Sequence, residues 1–453
     1  MTRTYWERIL DYYEALPFEA LDAATVHQVK RSLLDYYGCA AYTAKHRCAD
    51  GMVQLILDMS APGEHRVLGE TRRAAPAAAA CANACRISNI EMDDGSGINA
   101  AVHPGLYVWT GALTAWQTRP CDMRTLIRAV VFGYDVSMRM GMLAAKSVSR
   151  YELHGPGFSG ALGAVASGGM VLGLNRRQLE SAFGIAGSLL PMCPFISFIK
   201  GTDSKDLYGG WGLYLAMMAL EGAQRGLTGP ADIFDGVKSL SAFFSDDRGK
   251  DTAMGRPYYI NVIGFKEFPA CLAVHPALIC IQNLFGENQF QAAEIERVVA
   301  RVSPSAYKLS CGAPKQLTPT AARLSLPYTI AAALSEGALR PEAFTQERID
   351  ENRYAALMQR ITIVENPEYG EEAQGIRACA MTIRLRDGRE LFSEARGIRW
   401  CDEGATDEGL IQKFHLLTEG VFTEQERART LHDLMHLEEG GALPRLLSAL
   451  YAL

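Results

Sequence analysis

Apolar positions recur every three to four residues through most of the first 250 residues, which predicts a chain built mainly from helices. Over residues 20–44, Val26, Val29, Leu33, Leu34, Tyr37 and Ala41 keep this spacing. The same periodicity marks residues 74–90, 104–116, 123–145, 158–172, 177–189 and 205–225. Asn175 with Gln178 three residues later reads as a capping box at one helix start. Thr228-Gly229-Pro230 is expected to end one helix and open a short one.

The pattern changes after about residue 255. Residues 258–263 read as a strand, and residues 275–285 as a helix. Residues 295–302 alternate and are rich in Val, as strands are. Residues 361–364, 380–385 and 390–396 also read as strands, with a hairpin turn at Arg386-Asp387-Gly388. Helical periodicity resumes after Glu403. The predicted fold class is mainly α with an α+β part: a helical domain over residues 1–255, a smaller α+β lid over 256–402, and helices over 403–453 that return to the first domain.

Composition narrows the function classes. The chain has 453 residues, enough to bury large cores without crosslinks. Its formal charge of -6 and pI near 5.9 give no support for nucleic-acid binding, which calls for a basic face. An anionic substrate would therefore need a locally positive site. Eleven scattered cysteines lack a paired framework and read as buried free thiols in a reducing compartment. No signal segment is apparent, and the longest run of small apolar residues, 160–174, is shorter than the roughly 20 residues of a membrane span. A cytoplasmic protein with no membrane partner is expected.

Three of the nine histidines share a context: His103 in Val-His-Pro-Gly, His154 in Leu-His-Gly-Pro-Gly and His275 in Val-His-Pro-Ala. The proline that follows each, ahead of an apolar run, places all three at helix N-termini. The helix dipole disfavours a protonated imidazole there, so such a histidine can act as a neutral base. The same ends offer N–H groups to carboxylates. Glu91-Met92-Asp93-Asp94 sets three acids within four residues. The bland reading is a solvated helix end; a metal site or an acid–base cluster are the alternatives. No His–Cys set has structural-zinc spacing. Gly155-Pro156-Gly157-Phe158-Ser159-Gly160 matches a dinucleotide glycine pattern only formally, because no apolar strand precedes it. These glycines are expected to serve close helix packing. Lys200, Lys205 and Lys266 are candidates to neutralise substrate carboxylates.

Several segments together resemble the MmgE/PrpD family. AVHPG is similar to its histidine–proline segment, HGPGFSGALGAVASGGMVLGLNRRQLESAFGIAGSL to its central glycine-rich block, and KDLYGG…AQRGLTGP to its lysine-bearing helix. FKEFPACLAVHPA and ARLSLPYTIAAALSEG resemble two further blocks, all in the family's order over about residues 25–340. The resemblance implies a large helical domain with an α+β lid, usually as a homodimer. It implies an active site between the two and no metal or organic cofactor. Members include 2-methylcitrate dehydratase, cis-aconitate decarboxylase and iminodisuccinate epimerase. It places His103, His154, Lys205, His275 and Tyr328 in the cleft, and the acidic run on the family's D-x-D-D segment. The run departs from that segment in lacking the usual Thr or His after the acids.

The three reactions share a need for a positive, water-poor pocket that stabilises charge beside a carboxylate. On this reading Lys205 and Lys266 hold substrate carboxylates, with Lys200 and Asp94 also near the substrate. His103 or His154 is the base, the other donates a proton with His275 or Tyr328, and Glu91 or Asp93 orients a histidine. The expected activity is a hydro-lyase for a small hydroxy di- or tricarboxylate, with epimerase and decarboxylase as alternatives and a non-catalytic carboxylate-binding protein as a further one.

Overall fold

The computed structural model describes residues 4–96, 102–235, 237–244, 254–255, 257–311, 317–369, 377–439 and 441–453. The helical periodicities become Ala23–Lys45, Pro76–Ser88, Pro104–Thr118, Met123–Tyr151, Pro156–Leu172, Arg176–Ser188 and Ser204–Gln224. Their starts follow local chemistry. Asp22 and Asp122 accept from backbone N–H groups three residues on, and Asn175 with Gln178 closes the expected capping box. Proline occupies the first turn of the helices that follow His103 and His154.

These helices pack into one large core, and glycine lets them approach closely. A Cβ on Gly160 would fall 2.2 Å from the Tyr107 ring, and one on Gly163 would fall 2.9 Å from the Gly133 carbonyl. Leu410, Phe414, Leu417 and the leucines of the Ala442–Leu450 helix join this core.

The second core belongs to a four-stranded sheet in the order Ile361–Glu365, Ile295–Val302, Ala378–Leu385, Glu390–Arg396. The first pair is parallel and the others antiparallel. The hairpin turns at Gly388, whose φ of +91° suits glycine. Along Glu390–Arg396 only Leu391, Ser393 and Ala395 are buried, the period-two pattern of a sheet with one covered face. The His275–Glu287 helix packs against the last two strands.

Two expectations fail. Residues 258–263 form no strand: Tyr259–Val262 is a 3-10 turn, with Tyr259 and Ile260 buried in the helical core. A short apolar run has too little periodicity to separate the two cases. Residues 231–235, after Pro230, form turns rather than a helix. Among the described residues no helix is long and apolar enough to cross a membrane.

Candidate active site

The acidic run is not a solvated helix end. Glu91 and Asp94 are buried, and the Asp93 side chain is 13 % exposed. The reason is tertiary. Asp94–Gly95 pairs antiparallel with Gly264–Phe265, which draws the acids against Lys266 from the lid side of the chain. Lys413, on the Asp407–Thr418 helix, locks the junction. Its buried Nζ donates to Asp35 at 2.5 Å, to the Met92 carbonyl at 2.5 Å and to the Lys266 carbonyl at 2.8 Å. Sequence reasoning missed Lys413, because no local pattern separates it from other lysines on an amphipathic helix.

The ion pairs that result are specific. Glu91 bridges two lysines: one oxygen accepts from Lys205 and the other from Lys266 at 2.9 Å. Lys266 also donates to Asp93 at 3.1 Å, and Lys205 lies 3.2 Å from Asp206. Burial lowers the Lys205 pKa, and Asp206 offsets part of that. Burial disfavours the Asp93 anion, but the charges of Lys266 and His103 and the hydrogen bonds to the carboxylate together outweigh it and the pKa falls.

Glu91, Asp93, His103, His154, Lys205 and Lys266 all line one cavity of about 420 Å³, a size suited to a small molecule. His103 caps the Pro104–Thr118 helix, and its Nδ1 lies 2.6 Å from the Asp94 carbonyl. A carbonyl only accepts, so Nδ1 carries the hydrogen and Nε2 keeps its lone pair. Burial, then the Lys266 charge, lowers the His103 pKa to about 4. His154 sits between Phe195, Phe198 and Tyr208, with ring centroids 6.1, 5.8 and 5.2 Å away. Burial lowers its pKa to about 3, and its Nδ1 has no hydrogen-bond partner among the described residues. Both imidazoles are therefore neutral near pH 7.

Four expected site residues lie elsewhere. Asp94 sits behind the cavity, where its carboxylate accepts from Gly105 N–H at 2.9 and 3.0 Å and from the Tyr134 hydroxyl at 2.8 Å. Burial and the neighbouring Asp93 charge push its pKa up to about 8. His275 is 1 % exposed and donates from Nε2 to the Ala270 carbonyl at 3.1 Å, edge-on to Phe268. It shapes the loop after Lys266 instead of facing the cavity. Tyr328 donates to the Ala343 carbonyl at 2.7 Å inside the lid core. Lys200 is exposed at the end of the short Ile196–Ile199 helix. Among the described residues Glu91 contacts lysines and no histidine, and the acid beside His103 is Asp93, 3.7 Å from Nδ1.

Tyr107 and Arg377 also line the cavity and were not anticipated. Tyr107 lies one turn beyond His103, so helical spacing could have found it. Arg377, just before the Ala378–Leu385 strand, carries no local signal.

Residues 7–253 match the MmgE/PrpD N-terminal domain and residues 268–437 the MmgE/PrpD C-terminal domain. The chain is 22% identical over 448 residues to a cis-aconitate decarboxylase of Aspergillus terreus, covering 93% of this chain and 90% of that protein. It is 23% identical over 462 residues to the cis-aconitate decarboxylase-like protein oryM of Aspergillus oryzae, covering 94% and 93%. With both domains matched in order, the chain belongs to the MmgE/PrpD family, whose enzymes act on small carboxylic acids.

Proposed function

We propose that this chain is a lyase that removes a proton from the carbon beside a substrate carboxylate and expels the hydroxyl of the next carbon as water. The observation that carries this reading is His103, a neutral imidazole on the cavity wall whose Nδ1–H is tied to the Asp94 carbonyl and whose Nε2 is left basic. Nε2 takes the proton, the C–O bond breaks as the alkene forms, and the same proton goes to the departing hydroxyl. This route suits a site whose second histidine is also neutral, since neutral His154 is a poor acid. Lys266 supplies positive charge for the enolate-like state, and His154 helps to orient the substrate.

Decarboxylation is the second reading, supported by the names of the two Aspergillus proteins. There CO2 leaves first and the carbanion then needs a proton.

Incubation of the full chain in D2O, followed by proton NMR, tests both. The panel is a series of 3-hydroxy acids with one to three carboxylates, including 2-methylcitrate, together with cis-aconitate and iminodisuccinate. Alkene formation is the expected result. CO2 loss from cis-aconitate would replace the first reading with the second. Diastereomer exchange with deuterium uptake would make the chain an epimerase, and no change in any acid would overturn proton removal beside a carboxylate.

A further inference from the structure

The end of the Glu424–Met435 helix carries three metal-binding side chains on one face. His432, His436 and Glu439 stand four and three residues apart, the spacing that sets helical side chains one above the other. The helix ends at Met435, but the backbone keeps turning: His436 N–H donates to the His432 carbonyl at 2.9 Å and Glu439 N–H to the His436 carbonyl at 3.0 Å. One ligand atom from each of the three side chains lies within 4.8 Å of the other two, and all three are exposed. None of them lines the cavity, so the inference does not depend on the reaction proposed there. The two imidazoles are already arranged. Their rings stack with centroids 4.2 Å apart and planes 20° from parallel. His436 Nδ1 lies 2.9 Å from the His432 carbonyl, which can only accept, so Nδ1 carries the hydrogen and Nε2 keeps the lone pair that a metal needs. A carbonyl on the far ring nitrogen is a usual partner of a metal-binding histidine. Ion pairs hold the segment in place: Asp433 with Arg445 on the last helix, and Glu438 with Lys30 on the Ala23–Lys45 helix. Chain that is already fixed costs less entropy to order around an ion.

We propose that His432, His436 and Glu439 bind one divalent transition-metal ion of the zinc, nickel or copper class. Two imidazole nitrogens and one carboxylate oxygen suit these ions, with water in the remaining positions, whereas calcium and magnesium call for oxygen ligands throughout. The negative end of the helix dipole favours a cation at the same place. The bound ion joins the end of the Glu424–Met435 helix to the turn that leads into Ala442–Leu450, whose leucines belong to the large core. Because the three ligands come together only when this turn is folded, the ion stabilises the folded chain.

Calorimetric titration of the untagged, EDTA-treated full chain with zinc chloride near neutral pH tests the inference. The wild-type chain is expected to bind zinc at this site, and more tightly than it binds calcium. Partners that only orient a ligand carry roughly 10–100-fold in metal affinity, so loss of a ligand itself, in His432→Gln or His436→Gln, should weaken zinc about tenfold or more. Glu439→Gln should weaken it less, since both imidazoles remain. Zinc bound equally well by the wild type and by both histidine variants would be held elsewhere, by thiols or other histidines, and would overturn the inference. Tighter binding of calcium than of zinc overturns the metal class. Thermal unfolding supplies a second reading: zinc should raise the melting temperature of the wild type and leave that of His436→Gln unchanged. A wild-type melting temperature that zinc does not raise overturns the inference even if a variant fails to fold.

Discussion

The Nδ1 of His103, at the start of the Pro104–Thr118 helix, lies 2.6 Å from the carbonyl oxygen of Asp94, nine residues earlier in the chain. That bond fixes the tautomer and with it the nitrogen that can accept a proton. His103→Ala should lower turnover by about 10²-fold or more, the ordinary contribution of a general base. Near-wild-type turnover in a folded His103→Ala protein would remove His103 from the reaction.

The acid limb of the pH–rate profile follows from the same residue. A base works only when unprotonated, so kcat/KM should fall as pH drops through about 4, the His103 value in the free protein. A bound carboxylate raises the imidazole pKa, so the acid limb of kcat should lie at higher pH than that of kcat/KM. Asp93 raises the His103 pKa, and Asp93→Asn should move the kcat/KM limb below 4. A limb that stays in place in this variant would mean that another group titrates.

Lys413 and Asp35 form a buried pair that also holds the carbonyls of Met92 and Lys266. Lys413→Met leaves the Asp35 carboxylate without its cation and should cost about 3–5 kcal/mol of stability. Adding Asp35→Asn should recover part of that loss. Denaturant unfolding of the two single variants and the double measures the coupling, and strict additivity would show that the pair does not act as a unit.

His275 contributes to the pH dependence of stability. Burial lowers its pKa from 6.5 to about 3 in the folded chain. The unfolded chain therefore binds the proton first as pH falls. The contribution is fully present above about pH 6.5 and is lost as pH drops toward 3, at about 1.4 kcal/mol per pH unit. His275→Asn should show a shallower loss of stability between pH 6 and 4 than the wild type. Parallel curves would exclude His275 as the source.

Gly160 faces the Tyr107 ring so closely that an added methyl would overlap it. Gly160→Ala should cost about 1–3 kcal/mol and push Tyr107 toward the cavity. A melting temperature equal to that of the wild type would show that the helices can separate without strain.

The helices, the sheet hairpin and the three histidine-bearing helix starts were legible because each is written in neighbouring residues: period, caps, and proline beside the histidine. That signal picked His103 and His154, which line the cavity, and equally His275, which does not; Lys205 and Lys266 were picked as candidate cations together with Lys200, which does not line it either. Asp94 and Tyr328 could not be separated from cavity residues, because their partners, Tyr134 and Ala343, lie 40 and 15 residues away.

The sequence by itself determined that this chain is a helical domain with an α+β lid and that polar groups stand at several helix starts, because periodicity and capping act within a few residues. Only the tertiary structure decided which groups share the cavity and which charges cancel there. Glu91 and Lys266 are separated by 175 residues and meet through the two-residue ladder of Asp94–Gly95 with Gly264–Phe265. Electrostatics depends on distance in space, so the three acids that read as a solvated helix end became a buried lysine clamp, a histidine partner and a helix-start acceptor.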